Sequence, residues 1–381
     1  MAAAVLGGGK VHRVHKVNKV HKVQKVQKVH KVQKVQKVQK VQKVQKVQNF
    51  QNLPNFQKVQ NLPNLPNLQK IMSTIIGLDV GGTKTAILLG EITGAALNIV
   101  ARREIATQAS DAFEVTFERI CAEIDAIVMA GHTFDAISVS IGGPLKIEEG
   151  IILRTNHLPN WENVRLKDIL SARYGVPCHV EHDGNAGALA EFYFGAGRGA
   201  QNVIFFTAGT GLGAGLIFNG RIYRGSTDAA GEVGHIRMAN DGPVEYQKAG
   251  SWEAYCSGAG LIKLAKLRQP GRWPDDLSTR HLVTAAREGN PDAVALIHES
   301  GEILGRGLAM VIDMLNPEVI VLGSLAVALG DLWLGPARAM VRQEAIGILA
   351  DACRIVPSEL GAQIGDYAAF MAAYVQQTKS K

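Results

Sequence analysis

The chain is 381 residues long, with 41 Lys or Arg against 34 Asp or Glu and a formal net charge of +7. Fifteen of the basic residues and none of the acidic ones lie in residues 1–71, so residues 72–381 carry a net charge of −8, and the basic balance is no reason to read the body as nucleic-acid binding. The four cysteines are scattered, with no C-x-x-C pair, which excludes a disulfide framework and a clustered zinc site and favours a reducing cytoplasm.

From Lys10 to Gln48 the chain repeats a K-V-Q or K-V-H triplet, with small variations, thirteen times and then passes into N-L-P triplets. A period of three matches neither the helix nor the strand, so no face becomes apolar, and the regular lysines repel one another. Residues 1–71 are expected to be a disordered, low-complexity arm. A basic arm for nucleic acid or anionic lipid is a second reading, which the lack of interleaved aromatics opposes. A third is a translated nine-base repeat upstream of a start at Met72; peptides from residues 10–48 in the native protein would rule that out. No apolar run is long enough to span a membrane, and the opening MAAAVLGGG lacks the basic region and long apolar core of a signal peptide.

The body is long enough for two lobes with real cores. It opens on IIGLDVGGTKTAILL, residues 75–89. This predicts strand, tight turn, strand, with Asp79 at the first strand's end and Gly81-Gly82 in the reversal. A glycine-rich turn brings backbone N–H groups close to an anion, and Thr83 and Lys84 add a hydroxyl and a charge. Taken alone, the stretch suits a phosphate or an ordinary hairpin. Residues 91–94 are expected as a turn, and 97–107 as a third antiparallel strand. Residues 112–131 have helical spacing; 136–141 form a buried strand running into Gly142-Gly143-Pro144-Leu145. Residues 150–153 read as a strand, 166–174 as a helix and 177–181 as a strand ending on His182-Asp183-Gly184-Asn185. A helix is expected over 186–194.

The second half repeats the plan. Strand 202–207 leads into Ala208-Gly209-Thr210-Gly211-Leu212-Gly213 and a strand over 216–218. Helices are expected over 253–267, 281–289 and 292–315, then a buried strand over 319–322 ending at Gly323. A dinucleotide fingerprint would need a helix after the glycines, and here a strand follows; no P-loop is present. Two halves that each open with strand, glycine turn, strand imply a duplicated α/β unit with a cleft between lobes, a preferred place for ligands.

Six motifs in order, DVGGTK (79–84), GGPL (142–145), HDGNAGALAE (182–191), TAGTGLGAG (207–215), GEVGH (231–235) and the segment 253–258, resemble the ROK family of sugar kinases and repressors, in the actin-like, hexokinase-like ATPase superfamily. The resemblance covers nearly all of 73–378. It implies an α/β fold of two actin-like, ribonuclease H-like lobes, residues 73–188 and 189–360, with the C-terminal helix (361–378) returning to the first. It implies that Asp79, Gly81, Gly82, Thr83 and Lys84, with Thr207, Gly209, Thr210, Gly211 and Gly213, hold the ATP phosphates. Gly323 falls at the adenosine-side turn. Asp183 matches the general base: a sugar hydroxyl is a poor nucleophile, and a carboxylate in reach can take its proton as the phosphoryl group arrives. Read by itself, Asp183 is a strand-end residue capping the next helix. Glu232, His235 and Glu253 match positions that bind sugar hydroxyls; read alone, they are polar loop residues. Mg²⁺ on the phosphates, a homodimer, no membrane and no specific nucleic-acid partner complete the expectation.

Two departures stand out. The family's zinc segment, C-x-C-G-x-x-G-C, falls here on Val244, Tyr246 and Ser251, so no structural zinc is expected, and packing around Tyr246 and Trp252 takes its place. The family's N-L-P loop reads His157-Leu158-Pro159, with Asn156 one place earlier, and the Asn before the base is His182. Imidazoles thus stand where amides would meet the sugar. The leading expectation is an ATP-dependent hexose kinase, glucokinase- or fructokinase-like. The alternative is a non-catalytic, sugar-responsive regulator of the same family. Such repressors carry an N-terminal helix-turn-helix, and residues 1–71 show no amphipathic helix.

Overall fold

The computed structural model describes residues 72–93, 96–153, 155 and 157–379. The arm expected over 1–71 lies outside the described residues, and so does Asn156. Strands β1 (Met72–Val80), β2 (Lys84–Thr93) and β3 (Ala96–Ala106) form an antiparallel meander. Helix α1 (Phe113–Met129) leads to β4 (Ala136–Ile141), then a short ladder of β5 (Leu145–Lys146) and β6 (Ile151–Ile152), helix α2 (Leu166–Tyr174) and β7 (Cys178–His182). Strands β4 and β7 join β1 in parallel, giving the order β3-β2-β1-β4-β7. All six residues of β4 are buried because strands flank it and both faces are covered. β3 alternates in exposure and carries Arg102, Arg103 and Glu104, as an edge strand should.

Helix α3 (Asp183–Phe194) connects this sheet to a second of the same plan: β8 (Val203–Phe206), β9 (Ala214–Phe218) and β10 (Arg221–Tyr223) antiparallel, then parallel additions far along the chain. Between them come the hairpin β11 (Val244–Glu245) and β12 (Lys248–Ala249) and helices α4 (Trp252–Cys256), α5 (Gly258–Arg268), α6 (Thr279–Arg287) and α7 (Pro291–Leu315). The chain then runs β13 (Val319–Leu322), α8 (Leu325–Leu329), α9 (Asp331–Glu344), α10 (Gly347–Ala352), β14 (Arg354–Pro357) and α11 (Ile364–Lys379). The second sheet has the order β10-β9-β8-β13-β14, the same path as the first. This is the two-lobed α/β fold that the duplicated sequence plan implies.

The core lies in three layers. Ile120, Ile124 and Leu170 cover the outer face of the first sheet. Trp252, Leu304 and Trp333 are among those covering the outer face of the second. The middle layer is shared: Ile75 and Leu88 from one sheet, Val203 and Val321 from the other, with Ala186, Ala190, Phe370 and Tyr374 from α3 and α11 between them. α3 is rich in Ala and Gly because it is buried nearly all round. A Cβ on Gly187 would stand 2.6 Å from the Phe205 ring. The C-terminal helix does return to the first sheet, where Ala373 N–H donates to Ser138 Oγ at 3.3 Å. A buried ion pair between Glu181 on β7 and Arg224 just after β10 ties the two sheets together.

Register sets the site. Val80 lies opposite Ile141, and Ile141 opposite His182, so the turn at 81–83, the loop from Gly142 and Asp183 all leave the first sheet at one end. Phe206 lies opposite Leu322, so the second glycine turn and Gly323 leave the second sheet together.

Some expectations are corrected. Residues 91–93 are strand rather than turn, pairing with 96–98. The strand expected over 150–153 shrinks to Ile151–Ile152. α3 begins at Asp183, three residues early, because His182 caps it. The single helix expected over 253–267 is two, broken at Ser257 (φ −109°, ψ 167°). Ser257 Oγ caps the second helix by accepting from Gly260 N–H at 2.9 Å. The break also turns the N–H groups of Gly258 and Ala259 toward the carbonyls of Gly209 and Thr210, at 2.8 and 3.3 Å.

Candidate active site

The first turn is built around a buried carboxylate. Asp79 sits at the end of β1, and its pKa is pushed up to about 6. Burial is the largest cause, the charge of Asp183 the next; the Ser140 hydroxyl and the Lys84 ammonium work the other way, and Asp366 adds to the rise. Gly365, at the start of α11, makes room: a Cβ there would lie 2.5 Å from Asp79 Oδ2. Within the turn, Gly81 N–H donates to the Lys84 carbonyl at 3.1 Å. Thr83 and Lys84 are exposed. The Lys84 ammonium is drawn aside to Glu104 on β3 at 3.2 Å; Arg102 bonds Glu104 at 2.9 Å and Asp366 at 3.0 Å. His157 packs against the turn, and a Cβ on Gly82 would be 2.9 Å from its carbonyl oxygen.

Asp183 is the first residue of α3, with its side chain half exposed. Its Oδ1 accepts from Gly184 N–H at 2.6 Å, and its Oδ2 lies on the side of Gly142. The same Gly184 N–H reaches His182 Nδ1 at 3.2 Å, so the imidazole caps the helix through that nitrogen. The other edge of that ring packs over Gly143, where a Cβ would be 2.8 Å from Cδ2.

The second turn, Thr207–Gly213, is held on every side. Gly213 N–H donates to Thr207 Oγ1 at 3.0 Å, and Thr207 N–H to the Gly213 carbonyl at 3.0 Å. Leu212 N–H donates to Glu253 Oε2 at 2.7 Å. Gly211 sits against that carboxylate; a Cβ would come within 2.7 Å of it. The start of α5 braces Gly209 and Thr210, as described above. Gly323 approaches from β13, where a Cβ would be 2.8 Å from the Thr207 carbonyl oxygen. Just past the turn, Gly215 packs on Gly184 so closely that a Cβ would sit 2.3 Å from the Gly184 carbonyl oxygen. That contact brings Asp183 beside the root of the second turn as well as the first.

Glu253 belongs to a further group. The His235 ring stacks on Tyr246, centroids 3.5 Å apart and planes 22° from parallel. The Tyr246 hydroxyl faces the Glu253 carboxylate; burial first, and that carboxylate next, push its pKa up, with Glu232 contributing. A Cβ on Gly234 would come within 3.2 Å of Glu253 Oε2.

Among the described residues, the sequence-predicted ones therefore gather at two neighbouring places, around Asp183 and around Glu253, with Lys84 turned away to β3. Sequence reasoning missed Ser140, Asp366 and Gly365 around Asp79, and the bracing of the second turn by residues 258 and 259. Ser140 alone had a local signal, two residues ahead of Gly142-Gly143 at the end of a buried strand.

The profile of the ROK family matches residues 75–376. A glucokinase of Streptomyces coelicolor is 32% identical over 316 residues, covering 79% of this chain and 96% of its own. A xylose repressor of Caldicellulosiruptor bescii is 28% identical over 286 residues, 72% of this chain and 71% of its own. Among solved structures, a ROK glucokinase from Streptomyces griseus in complex with glucose and AMPPNP superposes with a TM-score of 0.67 at 32% identity, covering 80% of this chain and 99% of its own.

Proposed function

The chain belongs to the ROK family, and we propose that it transfers the γ-phosphoryl group of ATP to a hydroxyl of a hexose. The observation that carries this is the contact of Gly184 with Gly215, beside which Asp183 stands between the two glycine turns. The sugar hydroxyl loses its proton to Asp183 Oδ2 as its oxygen bonds the γ-phosphorus; the bond from that phosphorus to the bridging oxygen breaks, and ADP leaves. Oδ1 is held by Gly184 N–H, so the carboxylate is oriented before the sugar arrives. The N–H groups of Gly209 to Gly211 suit the phosphates, and Glu232, His235 and Glu253 suit the sugar hydroxyls. Asp79 and the phosphates fit Mg²⁺, which would supply charge neutralisation there. Four buried free cysteines suit the reducing cytoplasm, and a homodimer is the assembly we expect.

The kinship with a xylose repressor favours a second reading, a sugar-responsive regulator without catalysis. A coupled ATP-turnover assay on the full chain, against hexoses, N-acetylated hexosamines and ketoses, separates the two. Turnover with one sugar, reduced about 10²- to 10⁴-fold in Asp183→Asn, is the expected result. Sugar binding by calorimetry with no turnover on any of them would overturn the kinase and leave the regulator.

A further inference from the structure

The family's zinc positions do not fit a metal here. Val244 has no donor atom. Ser251 is buried, and its Oγ accepts from Ala254 N–H at 3.3 Å, capping α4. Cys256 is turned to the Ser300 carbonyl, 3.3 Å from its sulfur. Tyr246 lies flat on His235. What occupies the place is a two-residue hairpin loop, Tyr246-Gln247, closed by the Glu245–Lys248 pair.

That loop is strained in an informative way. Both residues take positive φ, 52° and 59°, a conformation for which Gly, Asn or Asp is the usual choice. A tyrosine held there against its backbone preference marks a position kept for its side chain. The side chain stacks on the His235 ring, one of the groups assigned to the sugar, and its hydroxyl lies near enough to the Glu253 carboxylate for that charge to help raise its pKa. Glu253 in turn holds Leu212 N–H of the second glycine turn at 2.7 Å. Lys248, on the other arm of the hairpin, donates to the His235 carbonyl. Trp252 N–H donates to the Ile236 carbonyl at 2.7 Å, closing the segment from below.

We propose that Tyr246 is a positioning residue that sets His235 and Glu253 for sugar recognition by direct protein contact, the work done elsewhere in the family by zinc. Through Glu253 the same contact reaches the second phosphate turn, so sugar and nucleotide sites share one brace. The assignment of sugar as the ligand rests on the kinase reading; the brace itself does not.

The test uses the full chain labelled with ¹³C-histidine, with His235→Gln to assign the His235 signal, and D-glucose as the probe. Tyr246→Gly is the deletion of choice because the backbone at this φ accepts glycine, so the melting temperature should not fall. Tyr246→Phe keeps the ring and removes the hydroxyl. The ring-current displacement of the His235 protons should vanish in Tyr246→Gly and persist in Tyr246→Phe. Binding of D-glucose by calorimetry should weaken about tenfold or more in Tyr246→Gly, with a smaller loss in Tyr246→Phe. A zinc-selective chelator should leave the wild-type spectrum unchanged. His235 signals that do not move in Tyr246→Gly, or that move on chelation, would overturn the proposal. If the wild-type chain does not bind D-glucose, the sugar assignment is at fault, and the histidine spectra still decide the brace.

Discussion

The two glycine turns stand at equivalent places in two sheets of the same order, yet they are built in opposite ways. The first has one internal backbone bond, from Gly81 to Lys84, and one brace from outside, Thr107 N–H donating to the Thr83 carbonyl at 2.9 Å, and its main feature is charge: Asp79 beside Asp183. The second has no charged residue of its own between 207 and 213, and its main feature is restraint: Thr207, Glu253 and the start of α5 fix its backbone. The two sheets carry equivalent glycine turns, and on the kinase reading these have divided the work. One would offer a carboxylate for a metal ion beside a second, repelling carboxylate. On the kinase reading, the other would offer the phosphates the N–H groups of Gly209 to Gly211 on a backbone already fixed, those of Leu212 and Gly213 being spent on Glu253 and Thr207.

The sharpest way to break the contrast is Asp79→Asn. The folded pKa of about 6 lies above the ordinary carboxylate value of 3.8, so the native state binds the proton more tightly than the unfolded state. The stability from this group is therefore fully present below the unfolded value and is lost as pH rises through about 6. At pH 8 the ionised Asp79 destabilises the fold by about 3 kcal/mol, taking 1.36 kcal/mol per pKa unit. Asp79→Asn should raise the melting temperature by several degrees at pH 8 and hardly at all near pH 4, while turnover falls about 10²- to 10³-fold. Stability and activity moving in opposite directions would mark the first turn as a strained, functional charge. A variant less stable than wild type at pH 8 would show that Asp79 is a structural residue.

The second turn answers to a different probe. Thr207→Val keeps the shape and leaves Gly213 N–H without its partner, a loss of about 1–3 kcal/mol. The matched change in the first turn, Thr83→Val, alters an exposed side chain and should stay within about 0.5 kcal/mol. Denaturant unfolding of the pair measures the difference directly. Equal losses would mean that the two turns are braced alike and the division of work is not real.

How much of this was legible in the sequence follows the range of the forces. Strand β4, strand β13 and helix α2 keep their predicted bounds because each is a local apolar pattern with a clear stop. The glycine turns were legible for the same reason. The break at Ser257 was not, because its cause is a carbonyl at Gly209, far back in the chain. Helix α9 was not read either. Gly335 and Pro336 argue against a helix locally, and what holds it is a buried face of Trp333, Leu334, Ala337 and Val341. At the site, Asp79 and Asp183 could be named from their motifs. The raised pKa of Asp79 could not, since it depends on burial under Gly365 and on the charges of Asp183 and Asp366.

The smallest expected effect probes Lys84, a predicted phosphate ligand whose ammonium the chain holds on β3. Lys84 sits on Glu104, and Glu104 is tied through Arg102 to Asp366 at the start of α11. On the kinase reading, an ammonium already paired must leave its partner to reach a phosphate, so the pair would compete with ATP. Both partners are well exposed, so the competition is weak and solvent-screened. Glu104→Gln should then lower the KM for ATP roughly two- to threefold at low salt, with the gain fading as ionic strength rises, and should leave kcat alone. Lys84→Met should raise the same KM and make it insensitive to Glu104. Additivity in the Lys84/Glu104 double variant would mean that the two residues act separately, and that Lys84 belongs to the edge of β3 and not to the first turn.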